Sequence, residues 1–218
     1  MASKKREILA FDLDGTVLDS AEAIAITTND TLSKFGFPFI DSVYIKSTIG
    51  RPISEVFSKV TSDNKVLEEM LLCFRELLAT NSHENTSIFP GIIESFESLK
   101  NSNIGIAVVT NKSTDLAKRV IKSLGISSYF DLVVGQDLAK PKPAPDMLNL
   151  LSKEYELSVL AMCGDTVDDV LCAKEAEITS IAIASGSQSY DTLRKCSPNF
   201  LINSALELNE LLTEKILK

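Results

Sequence analysis

From residue 90 onward the chain alternates short apolar runs with longer stretches whose apolar residues recur every three or four positions, and this alternation restricts the fold more than any other feature. The runs "IGIAVV" at 104–109, "DLVV" at 131–134, "VLAMC" at 159–163 and "TSIAIA" at 179–184 are too short for helices. With "EILAF" at 7–11 and a possible sixth run at 199–202, they have the unbroken apolar character of strands buried on both faces. Between them "GIIESFESLKNS", "STDLAKRVIKSLG", "PDMLNLLSKEYE" and "TVDDVLCAKEAE" carry helical spacing, and Gly125 stands where a helix stop is expected. Strand alternating with helix implies a parallel sheet covered on both faces, an open α/β architecture.

One interval breaks the rhythm. Roughly ninety residues separate the first strand from the second, far more than one crossover helix needs. They hold mostly helical patterns: "SAEAIAITTNDTLSKFG", "ISEVFSKV" and "NKVLEEMLLCFRELLAT". Residues 18–85 are therefore expected to form an inserted helical subdomain, with the polar stretch 80–88 and "FPG" at 89–91 marking the return. The closing "SALELNELLTEKILK" fits an amphipathic helix, packed within its own chain or against a second copy, so a monomer and a homodimer are both open.

Composition narrows the function classes. The chain of 218 residues is 44% hydrophobic, enough for a substantial core, and its net charge of -8 without a basic patch argues against nucleic acid or an anionic membrane as main partner. No apolar run is long enough to span a bilayer, and none follows "MASKKRE" as a secretory signal requires, so a cytoplasmic location is expected. Cys73, Cys163, Cys172 and Cys196 form no C-x-x-C pair and read as reduced thiols. The single histidine, His83, lies in the connector-like "NSHENTS", which excludes a histidine metal cluster and disfavours a Ser-His-Asp triad.

In open α/β sheets ligands bind beyond the carboxyl ends of the strands. The segments just past the strand ends here are "FDLDGT" (Asp12, Asp14, Gly15, Thr16), "TNK" (Thr110, Asn111, Lys112), "GQDLAKPKPAPD" and "GDTVDD" (Asp165, Asp168, Asp169). Asp12 and Asp14, two apart after a strand, would point the same way and repel, so a cation or a proton is needed beside them. Acids, hydroxyls and a lysine converging on one rim suit Mg²⁺ and a phosphoryl group. Each piece alone has a plain structural reading: "GDT" as a turn and helix cap, Asp19 and Ser20 as N-caps, the lysines as solvated charges, Thr110 as a strand end. Arg51, in "STIGRPISEVF", could meet a substrate carboxylate or sugar, and equally reads as a surface arginine before a helix.

The order "DLDGT", "TN", "KPxP", "GDxxxD" resembles the haloacid dehalogenase superfamily of phosphotransferases over nearly the whole chain. The resemblance implies a Rossmann-like parallel-sheet core domain (1–17 and 86–218) and an inserted α-helical cap domain (18–85). It implies a Mg²⁺-dependent phosphatase of small phosphorylated metabolites, similar to phosphoglycolate phosphatase. Asp12 would be the nucleophile that forms an aspartyl-phosphate, Asp14 the general acid/base and Thr110 the phosphate-binding hydroxyl. Gly15, Thr16 and Asn111 would lie against the phosphate. The metal would be held by the carboxylates of Asp12 and Asp165, by the Asp14 backbone carbonyl, and by Asp169, which falls at the second acid's spacing. Two lysines satisfy "KPxP": spacing to Asp165 selects Lys140, whereas "KPAPD" and its following helix favour Lys142. Asp14 favours phosphate-ester cleavage over dehalogenation, and Thr16 favours phosphatases over the β-phosphoglucomutase branch. A phosphomutase is the alternative; a receiver-type phosphorylation switch fits less well. Glu177 departs from the pattern, which has glycine there.

Overall fold

The computed structural model describes residues 5–81 and 84–217; His83 lies outside them. Six parallel strands form the central sheet: β1 (Glu7–Phe11), β4 (Gly105–Thr110), β5 (Leu132–Gly135), β6 (Ser158–Gly164), β7 (Thr179–Ile183) and β8 (Phe200–Ile202), in the order β5-β4-β1-β6-β7-β8. All six expected apolar runs are therefore strands. Alternation along each strand divides the side chains between two cores. Leu9, Phe11, Ile106 and Val108 enter one, and Ile8, Ala10, Ala107 and Val109 the other. This two-sided burial is why "EILAF" reads as unbroken apolar sequence rather than as an alternating pattern.

Helices α5 (Ile92–Asn101) and α6 (Thr114–Ser123) cover the first face through Phe96, Leu99, Leu116 and Val120. Helices α7 (Asp146–Lys153) and α8 (Val167–Glu175) cover the second through Met147, Leu148, Leu151 and Ala173. Phe96 anchors the first layer, with its ring 5.1 Å from Phe11 and 5.3 Å from Phe130 in edge-on contacts. The chain passes from β1 to β4 and β5 on one side, then returns to β6 on the other. The carboxyl ends of β4, β1 and β6 thus flank the point where strand order reverses, the usual ligand crevice of such sheets.

Between β1 and β4 the chain forms α1 (Ala21–Lys34), α2 (Ser42–Ser47), α3 (Ser54–Phe57) and α4 (Asn64–Asn81). A two-stranded antiparallel ribbon, β2 (Leu18–Asp19) with β3 (Ser87–Ile88), pairs Leu18 with Ile88 and brings both ends of this helical segment side by side. Met70, Phe74 and Leu78 project from α4 at helical spacing into the same apolar cluster that holds Leu9 and Phe11. The segment is also tied to α6 by the Arg119 guanidinium, which donates to both Glu76 carboxylate oxygens at 2.8 and 2.9 Å.

Helix α2, helix α9 (Tyr190–Lys195) and the ribbon were not expected. The closing segment is a broken run: a 3₁₀ turn, then α10 (Leu208–Leu211), then a π turn over Leu212–Ile216. Leu208 and Leu212 are buried in the chain's own first core.

Candidate active site

Asp12 follows β1 directly, and its backbone N–H still donates across to Cys163 of β6 at 2.8 Å, so the sheet itself fixes its position. Its carboxylate meets the Lys142 ammonium at 2.6 Å. The same ammonium donates to Asp169 Oδ1 at 2.6 Å and to the Val109 carbonyl at 3.0 Å. Asn111 sets the register of the Lys142 loop: its side chain accepts from the Lys142 N–H at 2.8 Å and donates to the Lys142 carbonyl at 3.1 Å. That clamp sets the two lysines in different surroundings. Lys142 is buried against Asp12, whereas Lys140 is exposed and joins no ion pair among the described residues.

Asp169 serves the helix and the site at once. Its Oδ2 accepts from the Thr166 backbone N–H at 3.0 Å and hydroxyl at 2.6 Å, closing a capping box at the start of α8 and leaving Oδ1 for Lys142. The structural reading of "GDT" as a turn and helix cap therefore holds, and the same cap leaves one Asp169 oxygen facing the site. Asp165 is held on both oxygens: Thr16 Oγ1 donates to Oδ1 at 2.9 Å, and the Ser187 N–H and hydroxyl donate to Oδ2 at 2.7 and 2.8 Å. Gly15, at φ +90°, and Gly186 pass so close that a Cβ on either would lie 2.3 or 2.2 Å from Asp165 Oδ2.

Asp14 faces a different cation. Lys112 Nζ lies 2.8 Å from its Oδ2, and Ser20 Oγ donates to Oδ1 at 2.7 Å. The repulsion expected between Asp12 and Asp14 is thus relieved by two lysines, one for each acid. Ser20 occupies the N-cap position of α1 but makes no side-chain cap bond, contrary to its expected capping role, because its hydroxyl is committed to Asp14.

Carboxylate oxygens of Asp12, Asp165 and Asp169 lie within 4.8 Å of one another, all buried, and the Asp14 carboxylate is not among them. Burial pushes the Asp12 carboxyl from its usual 3.8 up to about 8, with Lys142 opposing and Asp169 and Asp165 adding to the rise. Burial and Asp169 likewise raise Asp165 to about 6, against the hydrogen bonds from Ser187 and Thr16. Lys142 is held well above its ordinary range: burial disfavours the ammonium, but Asp12 and Asp169 outweigh it. One ammonium among three clustered acids leaves the group short of positive charge. Hard oxygen donors in such a set fit a divalent cation.

Above this group opens a cavity of about 250 Å³ lined by Asp12, Asp14, Thr110, Asn111 and Lys112 from the sheet side and by Arg51 and Arg75 from the helical segment. Thr110 Oγ1 accepts from the Lys112 N–H at 3.2 Å. Gly15 and Thr16 do not line this cavity; Thr16 supports Asp165 from behind, and Gly15 lines a second one, about 350 Å³, beside Ser185–Ser187. Sequence reasoning placed Lys112 at a strand end without giving it a partner, read Ser20 as a helix cap, and passed over Ser187 and Arg75. Ser187 stands just past the end of β7, where the strand-end rule could have found it.

Residues 9–183 match the model of the haloacid dehalogenase-like hydrolase family. The chain belongs to that family. Among curated relatives, the probable phosphatase IndB of Dickeya dadantii is 32% identical over 93% of this chain and 92% of its own. The phosphoglycolate phosphatase of Aquifex aeolicus is 33% identical over 97% of this chain and 99% of its own. Among solved structures, a haloacid dehalogenase-like hydrolase of Streptococcus pneumoniae superposes with a TM-score of 0.80 at 26% identity, over 95% of this chain and 98% of that one. Membership in a hydrolase family removes the receiver-type switch. No helix of the described residues is long and apolar enough to cross a membrane.

Proposed function

We propose that this family member is a Mg²⁺-dependent phosphatase of small phosphorylated metabolites in the cytoplasm, working as a monomer or homodimer through an aspartyl-phosphate on Asp12. The supporting observation is the set of Asp12, Asp165 and Asp169 within 4.8 Å, under a cavity that Asp14 and Thr110 also line. Asp12, Asp165 and Asp169 would hold the metal, which neutralises charge on the clustered carboxylates and the phosphoryl oxygens. The Asp12 carboxylate attacks phosphorus as the ester P–O bond breaks. Asp14, positioned by Lys112 and Ser20, gives the leaving alkoxide a proton and then takes one from the water that hydrolyses the acyl phosphate. Thr110 and Lys142 receive phosphoryl charge. The helical segment 18–85 acts as a cap over the core of 1–17 and 86–218, excluding water while the ester is bound.

Phosphoglycolate is the first substrate to test, because relatives that align over almost all of this chain bear that name. Phosphate release from a panel of phosphorylated metabolites with Mg²⁺ is the direct assay. Asp12→Asn is expected to abolish both turnover and trapping of phosphate on the protein; full activity in that variant would reject the reading.

A further inference from the structure

The cavity has two chemistries that phosphoryl transfer does not use. On its helical side it is lined by Ile24, Ile53, Leu71 and Phe74, joined by Leu116 from α6. Among the same lining residues stand two arginines, and neither forms an ion pair among the described residues.

The arginines differ in how firmly they are held and how far their charge is matched. Arg51 is exposed in the turn before α3, and it helps to offset the rise in the Asp168 carboxyl that burial and Asp169 cause. Arg75 is half-buried on α4, one turn after Leu71 and next to Phe74, on a helix fixed by Met70, Phe74 and Leu78. Its charge contributes to lowering the Asp137 carboxyl, whose Oδ1 is already taken by the Thr114 N–H at 2.6 Å and hydroxyl at 2.9 Å. Arg75 thus presents to the cavity, from a rigid element, a guanidinium held in no ion pair among the described residues.

Taking the phosphatase reading as given, we propose that Arg75 selects a second anionic group on the substrate, and that the substrate is a phosphate monoester whose apolar carbon chain ends in a carboxylate. A guanidinium fork matches the two oxygens of a carboxylate, so one arginine suffices for it. Phosphoglycolate has a single methylene between its two charged ends and leaves most of the apolar wall facing polar atoms. A chain of several methylenes removes that wall from water.

The test compares kcat/KM, by phosphate release with Mg²⁺, for phosphoglycolate, 4-phosphooxybutanoate and butyl phosphate. The wild-type protein should prefer 4-phosphooxybutanoate to both. Arg75→Met, which keeps the aliphatic bulk, should lower the ratio of 4-phosphooxybutanoate to butyl phosphate about tenfold or more, mainly through KM. Arg75→Lys should recover part of that ratio. A ratio unchanged by Arg75→Met, or a wild-type preference for phosphoglycolate over the four-carbon acid, overturns the proposal while leaving the phosphatase reading intact. Failure of the wild-type protein to hydrolyse any of the three, or other phosphorylated metabolites, removes that reading and the proposal with it.

Discussion

At the scale of single residues, the carboxyl end of the sheet is a problem of buried charge. Lys142 touches both Asp12 and Asp169 at 2.6 Å in a place almost closed to solvent. Removing one partner of such a group leaves the others uncompensated. Lys142→Met is therefore expected to destabilise the fold by about 3–5 kcal/mol and to abolish phosphatase activity, read from urea unfolding and phosphate release. Lys140→Met, at an exposed position two residues earlier, should change stability by no more than about 0.5 kcal/mol. The sequence carried both lysines in the same motif, and nothing local separates them; the choice is made by Asn111, a residue from another strand end, which clamps the backbone of one and not the other. Ser20 was misread for a related reason. Its position at a helix start is legible, but a hydroxyl there serves whichever acceptor is nearer, and Asp14 arrives only through folding.

At the scale of elements, helix ends test how far local rules reach. Helix α8 ends with Glu177 at φ +56°, where the Ile178 N–H donates to Ala173 and the Glu177 N–H to Lys174, both at 3.0 Å. Helix α6 ends in the same double hydrogen bond, but with Gly125 at φ +72°. The turn thus forms with Glu177 where the family pattern has glycine, at a conformational cost to a residue with a Cβ. Glu177→Gly should raise stability by about 0.5–1 kcal/mol, and Gly125→Ala should lower it by about 1 kcal/mol, each seen as a shift of the urea midpoint without a change in slope. Long periodic elements were legible because their apolar spacing repeats. Helices α2 and α9 have six residues each, too few to repeat a period, and the β2–β3 ribbon is two pairs joining residues some seventy apart. The closing helix kept its apolar face, but its division into 3₁₀, α and π turns left no mark in the spacing.

At the scale of the whole molecule, the acid cluster ties stability to pH. Asp12 and Asp165 have folded-state values of about 8 and 6, above the 3.8 of an exposed aspartate. As pH rises from about 4 to 8, the unfolded chain releases these protons before the folded one does, so the metal-free protein loses stability over that window. Its melting temperature in chelator should fall between pH 6 and 8, and added Mg²⁺ should raise it more at pH 8 than at pH 6. A pH-independent response to Mg²⁺ would show that these carboxylates are not where the ion binds. The parallel sheet and its rim of strand ends followed from alternation alone; the order of the strands came only with the fold. The cavity did not, because half of its wall comes from helices whose placement over the sheet is decided by tertiary packing.

Asn111 also donates to the Gly50 carbonyl of the helical segment at 2.8 Å. One amide therefore grips the loop behind Asp12 with one hand and the roof with the other. If the roof lifts to release product, that grip opens, and the lysine facing Asp12 loses part of its anchorage at the same moment.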